Sequence, residues 1–511
     1  VRTSYSYRST GQLGLRHAVP GIISYTVIAL SVFGVLIAPR AWVFVATVFL
    51  GYFIMRIVVT FVFALAGDLR IATWERTDWT AEEDEAGSSG FAPADVWHLV
   101  LVPTYREPEA VLRRTLDGLA TQHRASERLI VVIAMEEREP GSQEKGNRLA
   151  ADYHEAFAHI VASVHPAGLP GEIAGKSSNM LWATRAAKEA VLLLDVDPAR
   201  TTVTSCDADS ILHPLYFAAV SRLFVHDDRR HARFWQAPLL YYNNIWRAPA
   251  PVRFTTWVTH ATQIAELAFP GYIPLPISTY TLSFRLAEEC GWWDPAVISE
   301  DWHIFLQCEV ARDGDVGMTS VFLPTRADAA EGDGFWSGIR TRARQVMRHA
   351  YGAEDAGYLI GELITGRCVR SPRMLARTGQ VLHDHVLRVA SWFLVLSAYV
   401  LNVRNHPVHA AAHHSLGSLP AIAVLLGVLF ACGGTALAAI LLLELRREPP
   451  PSGYPVTLLL GELTAMWFLL PIIGLVLGMA PALRAQSKLM SGRPLFFEVT
   501  PKRAARVPDT T

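Results

Sequence analysis

Several short segments of the chain combine residue types that could do chemistry. After an apolar run lies Cys206-Asp207-Ala208-Asp209-Ser210. Two carboxylates at i and i+2 can turn oxygens toward one hard divalent cation, which keeps several waters and bridges to phosphate oxygens of a substrate. The same pair could equally be a solvated acidic loop. Far downstream, Ser299-Glu300-Asp301-Trp302 follows Gly291-Trp292-Trp293-Asp294. A carboxylate there could take a proton from a hydroxyl nucleophile; the plainer alternative is an acidic pair at a helix start. Lys176, in Ala-Gly-Lys-Ser-Ser-Asn, offers a compact charge suited to phosphate, or simply a surface lysine in a glycine turn. Gln345, Arg348 and His349 fall within a basic, helix-like stretch from Arg340 to His349. Pro103 to Pro108 (PTYREP) reads as a turn that starts a helix with Thr104 as cap, and Glu136 to Glu139 as an acidic, solvated loop.

These segments sit where strands should end. His98 to Val102 and Leu129 to Ala134 read as buried strands separated by an amphipathic stretch, Pro108 to Gln122. Thr201 to Ser205 reads as another strand after the helical Ser178 to Val191. Strands alternating with helices predict an α/β fold with a largely parallel sheet. In such sheets ligands bind beyond the carboxyl ends of the strands, which is where PTYREP, the acidic run and Asp207-x-Asp209 fall.

Composition fixes the setting. Of 511 residues, 51% are hydrophobic and 18% charged, with a mean hydropathy of +0.23, against about 25% charged in an ordinary globular domain. Lys plus Arg number 46 against 47 for Asp plus Glu, so no charge excess supports a nucleic-acid partner, and the apolar content excludes disorder. Five scattered cysteines (Cys206, Cys290, Cys308, Cys368, Cys432) provide neither a disulfide framework nor CxxC metal spacing.

The apolar excess lies at the ends. Val19 to Ala38 carries no charge and Ala41 to Ala66 only Arg56, so each is long enough to cross a bilayer. Arg2, Arg8 and Arg16 precede them, and the positive-inside bias predicts that the N-terminus and the segment after Ala66 are cytoplasmic. Val386 to Leu401, Leu416 to Leu443 and Val456 to Leu483 follow near the C-terminus. The basic tail (Arg484, Lys488, Arg493, Lys502, Arg503, Arg506) predicts a cytoplasmic end, so one of the three should be a hairpin, re-entrant or interfacial. Pro471 makes the last the best choice, and five or six crossings are expected. The expected organisation is a transmembrane hairpin over 1–66, a cytoplasmic catalytic domain over 67–380, a transmembrane bundle over 381–483 and a basic tail over 484–511. A pure transporter would carry more ionisable residues in its spans than Arg56, Arg388, Glu444 and Glu462.

The order Thr-Tyr-x-Glu-Pro, acidic loop, Gly-Lys-x-x-Asn, Asp-x-Asp, Gly-Trp-Trp-Asp, Glu-Asp, Gln-x-x-Arg closely resembles the family 2 glycosyltransferases with a GT-A fold, Rossmann-like and mostly parallel. In particular it resembles their membrane-embedded branch, which includes cellulose and hyaluronan synthases. The resemblance covers about Leu99 to Tyr351 and also takes in the tail segment Phe496 to Lys502. It implies an inverting, metal-dependent transfer from a nucleotide sugar, UDP- or GDP-linked, to a glycan or lipid-linked acceptor, in a multi-pass protein of the cell membrane. By the resemblance Thr104, Tyr105 and Glu107 hold the nucleotide base. Glu136 stands where the family usually has an aspartate on base or ribose. Lys176, Gln345 and Arg348 lie near the diphosphate, with Asp207 near the donor and Asp209 on Mg2+ or Mn2+. Asp301 is the expected general base, Glu300 supports it, and Trp302 and His349 line the acceptor site. His349 replaces the tryptophan of the QxxRW signature of polymerising members, and its smaller ring stacks less well under a sugar.

A synthase that extends and exports a polysaccharide is therefore the leading expectation. Single-sugar transfer to a polyprenyl phosphate or glycolipid is the alternative, and a non-catalytic scaffold is disfavoured by the intact Asp207, Asp209 and Asp301. The histidine-rich stretch His406, His409, His413 and His414 has no carboxylate or cysteine beside it for a metal site, and His383 and His385, which flank Asp384 before a span, are expected in the membrane interface rather than as ligands.

Overall fold

Runs of apolar, mostly β-branched residues become the buried centre of a sheet in the structure, a computed structural model that describes residues 14–366, 371–404 and 419–493. In chain order the strands are β1 (Trp97–Pro103), β2 (Leu129–Glu136), β3 (His159–His165), β4 (Thr201–Ser205), β5 (Arg233–Gln236), β6 (Leu239–Leu240), β7 (Tyr280–Ser283), β8 (Gly317–Ser320) and β9 (Thr325–Arg326). The main sheet has seven strands in the order β3-β2-β1-β4-β7-β5-β8, and β6 and β9 form a separate pair. β3, β2, β1 and β4 are parallel, while β7 runs antiparallel to both β4 and β5. Successive side chains of a strand face opposite sides. Leu99, Leu101, Ile130 and Val132 accordingly pack with Met180 and Ala183 of the Lys176–Leu193 helix. Val100, Val102, Val131 and Ile133 pack on the other face with Leu112 and Leu116 of the Glu109–Ala120 helix. A sheet covered on both faces explains why β1 and β2 read as continuous apolar runs rather than as alternations.

The expected α/β class with a mostly parallel sheet is therefore present, and the three strands read from sequence are β1, β2 and β4. Register then brings the motifs together. Leu101 pairs with Ser205, so the turn after β1 and the Asp-x-Asp segment after β4 emerge side by side. Because β7 is antiparallel, with Tyr280 opposite Ser205, the residues before β7 reach the same edge.

Four helices are long and apolar enough to cross a membrane: Leu15–Ile37, Pro39–Trp74, Pro372–Val403 and Ile422–Arg447. A fifth apolar segment, Val456–Leu470 with Ile472–Met490, is bent by 71° at its break. The discontinuity expected at Pro471 is thus present, as befits a residue with no N–H for the helix ladder. The described residues provide no sixth span. His406, His409, His413, His414, Cys368 and the segment Phe496 to Lys502 lie outside the described residues.

Ionisable residues in the apolar helices mostly have structural partners. Glu444 accepts from Tyr242 Oη (2.8 Å) and lies 3.0 Å from His260 Nδ1, while Glu462 meets Arg253 (2.5 Å) and Tyr454 (2.8 Å). Arg56 contacts Tyr52 (3.2 Å) and Asp384 (3.9 Å), and Arg447 pairs with Asp68. His383 is held by Tyr52 (2.5 Å) and Asp384 (2.9 Å), and His385 packs on Trp302. Neither histidine serves a metal cluster among the described residues. The Glu444, Glu462 and His385 contacts fasten the sheet domain onto the apolar helices, and those of Arg56, Arg447 and His383 tie those helices to one another.

Close helix approach adds to that seam. A Cβ at Gly474 would lie 2.1 Å from the Trp392 ring, so only glycine lets the bend lie against Trp392. A Cβ at Gly357 would meet the His17 backbone at 2.9 Å, whereas one at Gly379 would meet nothing within 4 Å. Both sit in helices, where alanine is otherwise favoured over glycine by roughly 0.5–1 kcal/mol. Gly357→Ala should therefore lower stability by about 1–3 kcal/mol through overpacking, and Gly379→Ala should not. Thermal unfolding of the two variants in one detergent checks this; equal melting points would contradict the tight seam between the first span and the Glu354–Thr365 helix.

Candidate active site

A cavity of about 500 Å3 opens at the carboxyl ends of β1, β2 and β4. All thirteen site residues expected from sequence line it: Thr104, Tyr105, Glu107, Glu136, Lys176, Asp207, Asp209, Glu300, Asp301, Trp302, Gln345, Arg348 and His349. Its far wall comes from Arg388 and from Ile473, Gly474, Leu477 and Gly478 of the bent apolar segment.

The centre is organised by one ammonium. Lys176 starts a helix and its Nζ lies 2.8 Å from Asp207, 2.7 Å from Glu300 and 3.2 Å from Asp301, while donating to the Ser278 carbonyl (2.9 Å). Burial alone would lower the Lys176 pKa, but Asp207, Asp301 and Glu300 raise it well above the ordinary lysine value, so it stays charged. Burial pushes the Glu300 carboxyl up, and the adjacent Asp301 charge adds to this, with Lys176 opposing both. Lys176 also lines the cavity, beside the residues expected to serve the donor.

Asp301 and Glu300 begin the same helix but differ in access. The Glu300 side chain is 8% exposed and that of Asp301 27%. Asp301 Oδ2 accepts from the Ser278 N–H (2.7 Å), and the Ser278 hydroxyl donates to Asp207 (2.5 Å). Asp209 is buried and accepts from the Asp328 N–H (3.1 Å). No group of three or more His, Cys, Asp or Glu side chains among the described residues forms a metal cluster alone. Two carboxylates in one cavity still match a hard cation that takes its other oxygens from water and phosphate, and one ammonium among three carboxylates leaves that edge net negative.

The residues that follow β1 and β2 are tightly braced. Thr104 Oγ1 (2.8 Å) and the Tyr105 N–H (2.5 Å) both donate to Glu107. The guanidinium groups of Arg138 and Arg106 lie over the Tyr105 ring, 4.4 and 5.0 Å from its centre. Glu136 pairs with Arg138, and burial raises its pKa despite that partner. The acidic run was expected to be solvated, yet Glu136 and Glu139 are buried. Glu139 accepts from the Arg106 N–H (2.5 Å) and from Lys145 (2.9 Å), fixing a turn whose Arg106 has a φ of 62°.

At the opposite end, Gln345 accepts from Arg342 (2.7 Å), and Trp302 packs on His385. Burial, reinforced by Arg348, Arg342 and Arg388, holds His349 well below the usual imidazole range, so its ring is neutral.

The sequence model of glycosyl transferase family group 2 matches residues 202–480, more than half of the chain. The chain belongs to that family. It is therefore a glycosyltransferase, and the matched segment runs from β4 into the last apolar helices. Comparison with curated proteins returns no match. Similar solved structures include a mannosyltransferase, PcManGT from Pyrobaculum calidifontis in complex with GDP-Man and Mn2+, at 16% identity and a TM-score of 0.40, covering 78% of this chain and 98% of that one. Another is S. aureus TarS 1-349 in complex with UDP, at 11% identity and a TM-score of 0.33, covering 70% and 98%.

Four residues of this glycosyltransferase site escape sequence reading. Ser278 bridges Asp207 and Asp301 from a φ of 60°, and nothing in its apolar surroundings marks it. Asp328 braces Asp209 while pairing with Arg114 (2.6 Å). Arg342 and Arg388 belong to elements read as a basic helix and a span. A fifth device is His303, two residues after Asp301, which donates to Asp355 (2.7 Å) and lies 3.7 Å from Asp294. Burial opposes its charge, but hydrogen bonds to Asp294 and Asp355 win and raise its pKa to about 10.

A histidine raised in the folded state stabilises fully below its unfolded value near 6.5, and that contribution disappears as pH rises through about 10. Burial also raises Asp355, which limits the net gain of the pair. Stability should fall on the order of 1–2 kcal/mol between pH 7 and 10, and His303→Gln should flatten that fall. Melting curves across the range test it; identical slopes in both proteins would remove the charged clamp.

Proposed function

We propose that the chain is a membrane-embedded, inverting glycosyltransferase that moves a sugar from a UDP- or GDP-linked donor to a growing glycan, with synthesis and export of a polysaccharide at the cell membrane and the catalytic domain on the cytoplasmic side. The observation that carries this reading is one continuous cavity, which joins the strand-end carboxylates to the bent apolar segment at Ile473 to Gly478.

Asp301 is the base in this mechanism. Its side chain is the more exposed of the acidic pair, and the Ser278 N–H and Lys176 fix both of its oxygens. The acceptor hydroxyl gives its proton to Asp301 as its oxygen bonds to the anomeric carbon. The bond from that carbon to the donor diphosphate breaks from the opposite face, so configuration inverts. Asp207 and Asp209 would hold Mg2+ or Mn2+, which, when bound, neutralises charge on the departing diphosphate. Arg348 and Gln345 serve the diphosphate, Thr104, Tyr105, Glu107 and Glu136 the nucleoside, and Trp302 and His349 the acceptor. Lys176 keeps Asp207, Glu300 and Asp301 from repelling one another and serves the donor diphosphate beside Arg348. Transfer of one sugar to a lipid-linked acceptor is the second reading, favoured by the basic far wall described below.

Purified protein in lipid, given radiolabelled nucleotide sugars, tests this by product size and organic extraction. Long product in the aqueous phase supports the first reading, and short extractable product the second. Asp301→Asn should keep donor binding and lose transfer about a hundredfold or more. A folded, donor-binding variant with near wild-type transfer would remove Asp301 as base. Chelation with EDTA should abolish transfer and weaken binding of free UDP or GDP, with Mg2+ or Mn2+ restoring both; undiminished transfer and binding in metal-free protein would exclude the cation.

A further inference from the structure

The cavity is electrically two-ended. Its strand side carries Asp207, Asp209, Glu300 and Asp301 against Lys176, with Glu136 and Asp328 paired to Arg138 and Arg114, whereas its membrane side carries Arg342, Arg348 and Arg388 beside the neutral His349. A nucleoside diphosphate with a cation on Asp207 and Asp209 accounts for the acidic end and for one arginine. It leaves Arg342 and Arg388 unexplained.

Neither has a carboxylate within 4 Å among the described residues. Arg342 is 7% exposed, spends its terminal nitrogens on the neutral oxygens of Gln345 (2.7 Å) and Thr259 (3.5 Å), and its Nε is buried without a partner. Arg388 lies inside the apolar Pro372–Val403 span, yet its side chain is exposed and lines the cavity. Asp384 and Glu266 act on it only from beyond ion-pair distance, and Asp384 is engaged by Arg56 (3.9 Å) and His383 (2.9 Å). Arg56, Glu444 and Glu462 in the other apolar helices all have partners. A buried guanidinium with no carboxylate in contact, as at Arg342, is costly unless a ligand supplies an anion, and an arginine within a span, as at Arg388, is a functional feature by default.

We propose that Arg342 and Arg388 form an acceptor subsite for an oxyanion, between the transfer centre and the Ile473 to Gly478 bend. The acceptor of this glycosyltransferase therefore carries a phosphate or carboxylate group at or beside the oxygen that is glycosylated. The inference rests on the proposed transfer reading and names the acceptor class within it. A lipid phosphate and an acidic glycan share this chemistry, and both would enter beside the same apolar wall.

Binding to the purified full chain in neutral detergent tests the subsite without requiring transfer. Tryptophan fluorescence is titrated with a polyprenyl monophosphate and its matching alcohol, with a glucuronate-containing oligosaccharide and its neutral counterpart, and with UDP and GDP. The anionic member of one pair should bind at least about tenfold more tightly than its neutral partner, as expected for a charge-assisted contact. The preferred pair identifies the source. Arg388→Gln and Arg342→Gln should each erase the preference with nucleoside-diphosphate affinity unchanged, while Arg388→Lys should keep most of it. Melting points establish folding, and if one glutamine variant fails to fold, the other and the wild-type pairs decide. Absence of preference in both pairs overturns the proposal, as does a loss of UDP and GDP affinity in folded glutamine variants, which would assign these arginines to the donor. An anion preference in a protein that never transfers sugar would instead sink the function proposed above and leave the subsite standing.

Discussion

One buried ammonium among three carboxylates is the constraint on which the site depends. Asp207 arrives from the end of β4, Glu300 and Asp301 from a helix start almost a hundred residues later, and Lys176 from another helix start. Charges removed from water are tolerated only when paired and hydrogen-bonded, so these segments must meet for any of them to be buried. Ser278 completes the arrangement by bonding Asp207 and Asp301 at once from a left-handed backbone conformation. The cluster is nonetheless left short of positive charge.

The second constraint is mechanical. A cavity shared by a sheet domain and apolar helices keeps its geometry only if the two cannot slide. Tyr242 and His260 reach Glu444, Arg253 reaches Glu462, and Arg326 reaches Glu448 (2.9 Å), so polar contacts are spread along the seam. Desolvated pairs of this kind add little net stability against an apolar alternative, but breaking one is costly. They therefore specify position more than they add stability, which is what a site assembled from both layers requires.

Much of this was legible in the sequence because the relevant signals are local. Continuous apolar runs marked β1 and β2, a strand-like run before Asp207 marked β4, and the motifs just after them all reached one cavity. What stayed hidden was non-local or short. β5, β7 and β8 have four residues each, too few for a period to declare itself. β3 is half-buried and polar at its ends. Ser278 gains meaning only from the antiparallel register of β7, and Glu139 looked like a solvated acid because burial of an acidic run depends on the Arg106 N–H and Lys145 supplied by other segments. The carboxylates gathered around Lys176 stayed hidden for a related reason. Spacing shows that a lysine stands near a glycine turn, not how many carboxylates the fold will bring to it.

His349 links the two ends of the cavity. At a position where an indole would offer a broad apolar face, this chain offers a smaller ring kept neutral by burial and by Arg348, Arg342 and Arg388. A neutral imidazole has one donor and one acceptor nitrogen, so it orients a polar group by hydrogen bonds where a tryptophan would support a sugar face by stacking. The exchange makes physical sense beside arginines. A ring that became charged there would repel them, and a large apolar ring would screen them from a ligand. The exchange thus trades a broad apolar face for a small polar ring that leaves the neighbouring guanidinium groups open to the cavity.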